Sequence, residues 1–102
     1  MDALLAQVRA QFTASLPSKV AALQQLVARG VWEEARRAAH KLRGSASTYG
    51  HTALGATAGA IEEALLATSD QPDEEARAGI AARLAEAHAQ AAQATRGVGD
   101  AE

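Results

Sequence analysis

Between Trp32 and Tyr49 the apolar positions Trp32, Ala35, Ala39, Leu42, Ala46 and Tyr49 recur at intervals of three and four. Those intervals line one face of an α-helix, whereas a strand needs alternation at two. The same spacing returns elsewhere. Leu5, Val8, Phe12, Leu16, Val20, Leu23 and Val27 form an earlier stripe; Leu54, Ala58, Ile61 and Leu65 form a later one, and Ile80, Leu84, Ala87 and Ala91 the last. Residue type agrees with spacing. The 102 residues include 28 Ala and 10 Leu, but only seven β-branched aliphatics and one each of Phe, Trp and Tyr. Ala and Leu favour helix, and strands draw on the residues that are scarce here. A β-sandwich and a doubly wound α/β fold are excluded, and the length suits one compact domain.

The breaks between stripes set the topology. Gly30 and Gly50 follow the first two stripes as C-cap glycines. Pro17 lies inside the first stripe, with Ser15 as a candidate N-cap, which predicts a kink or a break. The stripe keeps its phase across Pro17, so one bent helix or two nearly collinear helices hold Phe12 and Leu23 on the same core. Gly55 and Gly59 are poor helix formers, each costing up to about 1 kcal/mol relative to Ala. Their spacing of four lets another helix approach closely. The run Ser69-Asp70-Gln71-Pro72-Asp73-Glu74-Glu75 reads as a loop leading into a helix start. Short loops make sequential helices antiparallel. The expected fold is all-α: an up-and-down antiparallel four-helix bundle with an additional N-terminal helix or helix extension. It occupies residues 1–96, and residues 97–102 are expected to form a flexible tail.

Composition removes many functions. With no cysteine there is no disulfide framework, no thiol catalysis and no Cys-based metal site. No run of 18 apolar residues offers a membrane span, and the first residues lack a basic signal-peptide region. A soluble, cytoplasmic protein is the expectation. The net charge of −2 predicts neither a nucleic acid nor a membrane partner. No P-loop, G-x-G-x-x-G or H-E-x-x-H motif is present. His40, His51 and His88 lie on different segments, so no metal site and no cofactor are expected of this chain.

Charge is nevertheless uneven. Arg29, Arg36, Arg37, Lys41 and Arg43 put half of the ten basic residues within a 15-residue window. On a helix of about 100° per residue, His40 points away from the apolar stripe of its segment. Arg36, Arg43, Gly44 and Ser47 fall on its side of the helix, and Arg37 lies close by. Cations beside an imidazole disfavour its protonated form and favour an incoming anion, of which a phosphoryl group is the obvious candidate. On spacing alone, an ordinary exposed histidine with basic neighbours fits as well.

The segment Ala39-His40-Lys41-Leu42-Arg43-Gly44-Ser45-Ala46, followed by Gly50, resembles the signature of histidine-containing phosphotransfer (HPt) domains. The resemblance extends over most of the chain. Phe12 and the Leu-rich segment after it are similar to the family's opening. Gly30-Val31-Trp32 resembles its Gly-Asp-aromatic turn, with Val31 in place of the usual Asp. Leu54, Ala58, Ile61 and Glu62 resemble the helix after the motif.

The resemblance implies that His40 is a phosphoacceptor serving response-regulator receiver domains and a sensor histidine kinase. It implies a phosphorelay intermediate, not an enzyme with its own kinase or nucleotide site. Mg²⁺ is then expected on the partner receiver domain. Gly44 would give the partner room. Arg43, where the family usually has Lys, would stand near the phosphoryl group with Arg36, Arg37, Lys41 and Ser47. Glu62 would bond the imidazole and act in the opposite sense to the arginines. Two alternatives accompany this reading: a non-catalytic helical adaptor or dimerisation module, and the phosphoacceptor domain of a chemotaxis-type histidine kinase. The initial Met and the short tail favour a stand-alone protein, expected to be a monomer.

Overall fold

The structure, a computed structural model, describes residues 2–68 and 71–100. Four α-helices follow one another: α1 (Asp2–Ala28), α2 (Trp32–Thr48), α3 (Thr52–Ala67) and α4 (Glu74–Asp100). Each packs against its neighbours in sequence, and α4 returns to α1, so the helices form a closed square of antiparallel pairs. There is no strand among the described residues. The fold is the expected all-α bundle.

The turns follow from glycine. Gly30 has φ +73° and Gly50 has φ +87°, a region that only glycine enters without strain. Beyond each, the next amide reaches back five residues: Val31 N–H to Leu26 O at 2.9 Å, and His51 N–H to Ala46 O at 2.8 Å. This satisfies carbonyls that a helix end otherwise leaves open. At the start of α4, Asp73 Oδ1 accepts the Ala76 N–H at 2.8 Å. Asp73 is therefore the N-cap, and Pro72 stands just outside the helix rather than in its first turn.

Three expectations need correction. First, α1 is a single helix with Pro17 inside it, one of the two expected forms, but the cap expected at Ser15 is not made. The Ser15 hydroxyl donates instead to the Phe12 carbonyl at 2.6 Å. Second, regular structure does not stop near residue 96, since α4 continues to Asp100. Extending an existing helix fixes one residue per hydrogen bond gained, which permits this. The loop residues 69–70 and the last two residues of the expected tail lie outside the described residues.

Third, Leu5 and Val8 are not core residues. Leu4, Leu5 and Val8 are exposed. At 27 residues, α1 and α4 are about 40 Å long, against about 25 Å for α2 and α3. The molecule measures 47 × 22 × 19 Å. Phe12 stacks on Tyr49 at the end of α2, with ring centroids 4.5 Å apart. The earlier turns of α1 thus run past the α2–α3 hairpin and have little to bury against. They are the expected N-terminal extension. Deeper in, Leu16, Val20, Leu23, Ala35, Ala39, Leu42, Ala46, Leu54, Ala58, Ile61, Leu65, Ile80, Leu84, Ala87 and Ala91 make one core, with Trp32 partly buried at its edge.

Candidate functional site

The stripe of α2 fixes the direction of His40. Ala35, Ala39, Leu42 and Ala46 are buried against the bundle, which turns the residues between them outward. The His40 side chain is 64 % exposed. From α3, Ile61 is fully buried in the core, and Glu62 beside it is held in the seam between α2 and α3. Its side chain is only 8 % exposed.

A buried carboxylate requires partners, and Glu62 has two. His40 Nδ1 lies 2.7 Å from Oε2, and Arg43 Nη1 donates to Oε1 at 3.0 Å. A carboxylate only accepts, so the hydrogen of the first bond sits on Nδ1. When the ring is neutral, Nε2 then carries the free lone pair, and it has no partner among the described residues. The site can therefore present one nucleophilic nitrogen to solvent, with the opposite edge of the ring anchored.

Close approach of α2 and α3 makes this possible, and the two glycines provide it. A Cβ on Gly55 would collide with Ser47 Oγ. A Cβ on Gly59 would lie 3.0 Å from Arg43 Cδ. Gly44 behaves differently: a Cβ there meets nothing within 4 Å. The bundle itself does not require this glycine, so a bare patch of helix lies one turn from His40.

Two of the other basic residues on this side of α2 are engaged by one carboxylate. Arg36 is drawn to Glu33 by two hydrogen bonds, at 2.7 and 3.2 Å. Arg37 Nε lies 3.3 Å from the same carboxylate. The hydrogen bond from Arg36 holds the Glu33 carboxyl below the usual carboxylate range, and it raises the Arg36 guanidinium in turn. All three guanidinium groups thus have carboxylate partners: Arg36 and Arg37 share Glu33, and Arg43 bonds Glu62. Spacing carried a signal for this, since Glu33 and Arg36 are an i,i+3 pair. Lys41 is exposed, and its carbonyl accepts from Ser45 Oγ at 2.8 Å. Ser47 is also exposed, beside Gly55.

Sequence reasoning gave His51 no part. Its Nε2 lies 2.9 Å from the hydroxyl oxygen of Thr13, which is buried, and its ring lies 6.0 Å from that of Phe12. This ties the α2–α3 turn to α1, away from His40. His88 is exposed on α4. No group of three metal-ligating side chains comes together among the described residues, and no helix is long and apolar enough to cross a membrane.

No curated protein and no solved structure gives a significant match to the chain. The family model described as Hpt domain does match, over residues 7–94, a span that contains all four helices' packed portions and the whole His40–Glu62–Arg43 cluster. With its signature histidine outward on such a bundle, the chain belongs to the Hpt domain family, the histidine phosphotransfer modules of two-component signalling.

Proposed function

We propose that this chain is a phosphorelay intermediate in which His40 Nε2 accepts a phosphoryl group from a receiver's aspartyl phosphate or from a histidine kinase, and then donates it to another receiver. The observation that carries this reading is an exposed imidazole anchored through Nδ1 to a buried carboxylate. In the accepting step the Nε2 lone pair attacks phosphorus in line. The N–P bond forms as the P–O bond to the aspartyl group breaks, and the aspartate leaves as its carboxylate. Nδ1 keeps its hydrogen, so the ring gains positive charge facing Glu62. Donation is the reverse displacement on a new aspartate. The reading puts Mg²⁺, which neutralises charge on the transferring group, on the receiver.

The surroundings of His40 support docking of a globular partner. Gly44 leaves the next turn bare on the approach side. A groove of about 190 Å³ lies between α1 and α2, with Ala22, Ala38 and Leu42 as its apolar lining and Lys19, Lys41 and Ser45 as its polar lining. Exposed cations at its rim suit the acidic rim of a receiver domain, and salt should weaken such an encounter.

The test is transfer of label from phosphorylated receiver domains to the purified chain. Wild type should become labelled in a form that is acid-labile and alkali-stable, as phosphohistidine is, and His40→Gln should take no label. A His40→Gln protein that is labelled as fast as wild type would remove the reading.

A further inference from the structure

We propose that a second copy of this chain docks on the overhang of α1 and α4, giving a weak two-fold dimer in which both His40 rings stay open. The inference goes beyond the phosphotransfer reading and does not depend on it.

The overhang has a definite size. Phe12 stacks on Tyr49 at the end of α2, and Gln90 and Ala94 stand beside the first residues of α3. Past those levels α1 extends over residues 2–11 and α4 over residues 91–100, about ten residues or 15 Å each. The two helices are neighbours, so they form a two-helix layer from which the α2–α3 layer is missing. The apolar stripe of α1 runs on in phase, and it turns Leu5 and Val8 to the side where that layer would lie. They are 57 % and 37 % exposed. Neither residues 3–8 nor residues 89–95 include an Asp, Glu, Lys or Arg, a depletion that marks the centre of protein interfaces. At the step itself a recess of about 380 Å³ lies between the start of α3 and α4. Gln90 lines it, and its enclosed Oε1 has no hydrogen-bond partner among the described residues. A polar atom so placed marks packing that one copy leaves unfinished.

The shape that fits the step is the overhang of another copy. A two-fold axis perpendicular to the helices, through the middle of the overhang, lays one two-helix layer over the other and supplies the missing layer. Each tip then meets the α2–α3 turn of the other copy. The ends that meet are complementary. The C-terminus of α4 arrives at the N-terminus of α3, where His51 makes no side-chain cap. The N-terminus of α1 arrives at the C-terminus of α2. Opposite ends of the helix dipole thus face each other at both junctions. The last turn of α4 has no basic residue to oppose this, and its sequence ends the helix on Asp100. A face about 15 Å long and about 20 Å wide on each copy buries on the order of 800–1,000 Å² in total, tips included. That is the low end for a specific contact, so the dimer forms at high micromolar concentration and the dilute chain is a monomer. His40 lies about 12 Å down α2 from its end at Thr48, clear of the contact.

The experiment is sedimentation equilibrium of the whole chain from about 10 µM to about 1 mM. Wild type should rise from the 10.5 kDa of one chain toward twice that mass. Leu5→Glu and Val8→Glu each put a carboxylate from both copies into the contact. They should weaken association about tenfold or more and stay near the single-chain mass. Leu66→Glu, similarly exposed but near the end of α3 at the opposite end of the bundle, should associate like wild type. Circular dichroism establishes that each variant keeps its helix content, and Leu5→Glu alone decides the matter if Val8→Glu does not. A wild type that stays at the single-chain mass to about 1 mM would overturn the proposal. So would association that Leu5→Glu leaves intact, or its loss in Leu66→Glu. A mass that climbs past two chains would do the same, since a two-fold contact closes on itself. The measurement involves no phosphate and no receiver, so failure of label transfer strikes the phosphorelay reading alone.

Discussion

At the scale of single residues, the outward direction of His40 was readable because the helix period leaves one solution once the stripe of Ala35, Ala39, Leu42 and Ala46 is placed. Its tie to Glu62 was not readable from periodicity. The two residues are 22 apart in sequence and meet only through packing; resemblance to a family supplied the pairing. The opposite happened at Glu33. Local spacing contains its bond to Arg36, an i,i+3 pair on one helix face. That bond makes an acid-sensitive contribution. Glu33 titrates lower in the folded chain than in the unfolded one, first because Arg36 hydrogen-bonds it. Its contribution is present above the unfolded-state pKa and is lost as pH falls through the folded-state value. Glu33→Gln should melt slightly below wild type at neutral pH, and the gap should close in acid. The effect is small because the pair is exposed to solvent. Melts of both proteins from neutral to strongly acidic pH check it.

At the scale of elements, three helical glycines with similar propensity have different reasons to be there. Gly55 and Gly59 face Ser47 and Arg43 on α2, whereas Gly44 faces open space. Gly44→Ala should raise stability by up to about 1 kcal/mol, because nothing opposes the better helix former. It should also slow transfer from a partner, which meets an added methyl group. Gly55→Ala should lower stability by about 1–3 kcal/mol, since Ser47 must move and the seam with it. Denaturant titration and a transfer assay on both variants separate the two cases. Spacing revealed that Gly55 and Gly59 permit close approach. It did not reveal which side chains fill the space, because that depends on the rotation of α2 against α3. Pro17 teaches a similar lesson. Its missing N–H removes one bond from α1, but packing of Leu16, Val20 and Leu23 keeps the helix whole.

At the scale of the whole molecule, helix number, order and most of the core were legible, because Ile61, Leu65, Ile80 and Leu84 obey their stripes and are buried. Leu5 and Val8 obey theirs as well and are not buried. Periodicity tells which face of a helix is apolar, but not how far its neighbours extend alongside it. The shorter α2–α3 hairpin ends before these residues. Ile61→Ala should therefore cost about 2–5 kcal/mol. Leu5→Gln should change stability by no more than about 0.5 kcal/mol, despite a similar loss of apolar bulk. Chemical denaturation of the two variants beside wild type measures this.

The groups behind the imidazole, Glu62 and Arg43, belong to α3 and α2, while the groove between α1 and α2 takes Lys19 and Ala22 from α1 and Ala38, Lys41, Leu42 and Ser45 from α2. On the proposed reading, α2 thus serves both reactivity and docking, and α1 serves docking alone. On the proposed reading, a substitution at Lys19 should change which receiver is preferred while the His40–Glu62 bond is kept.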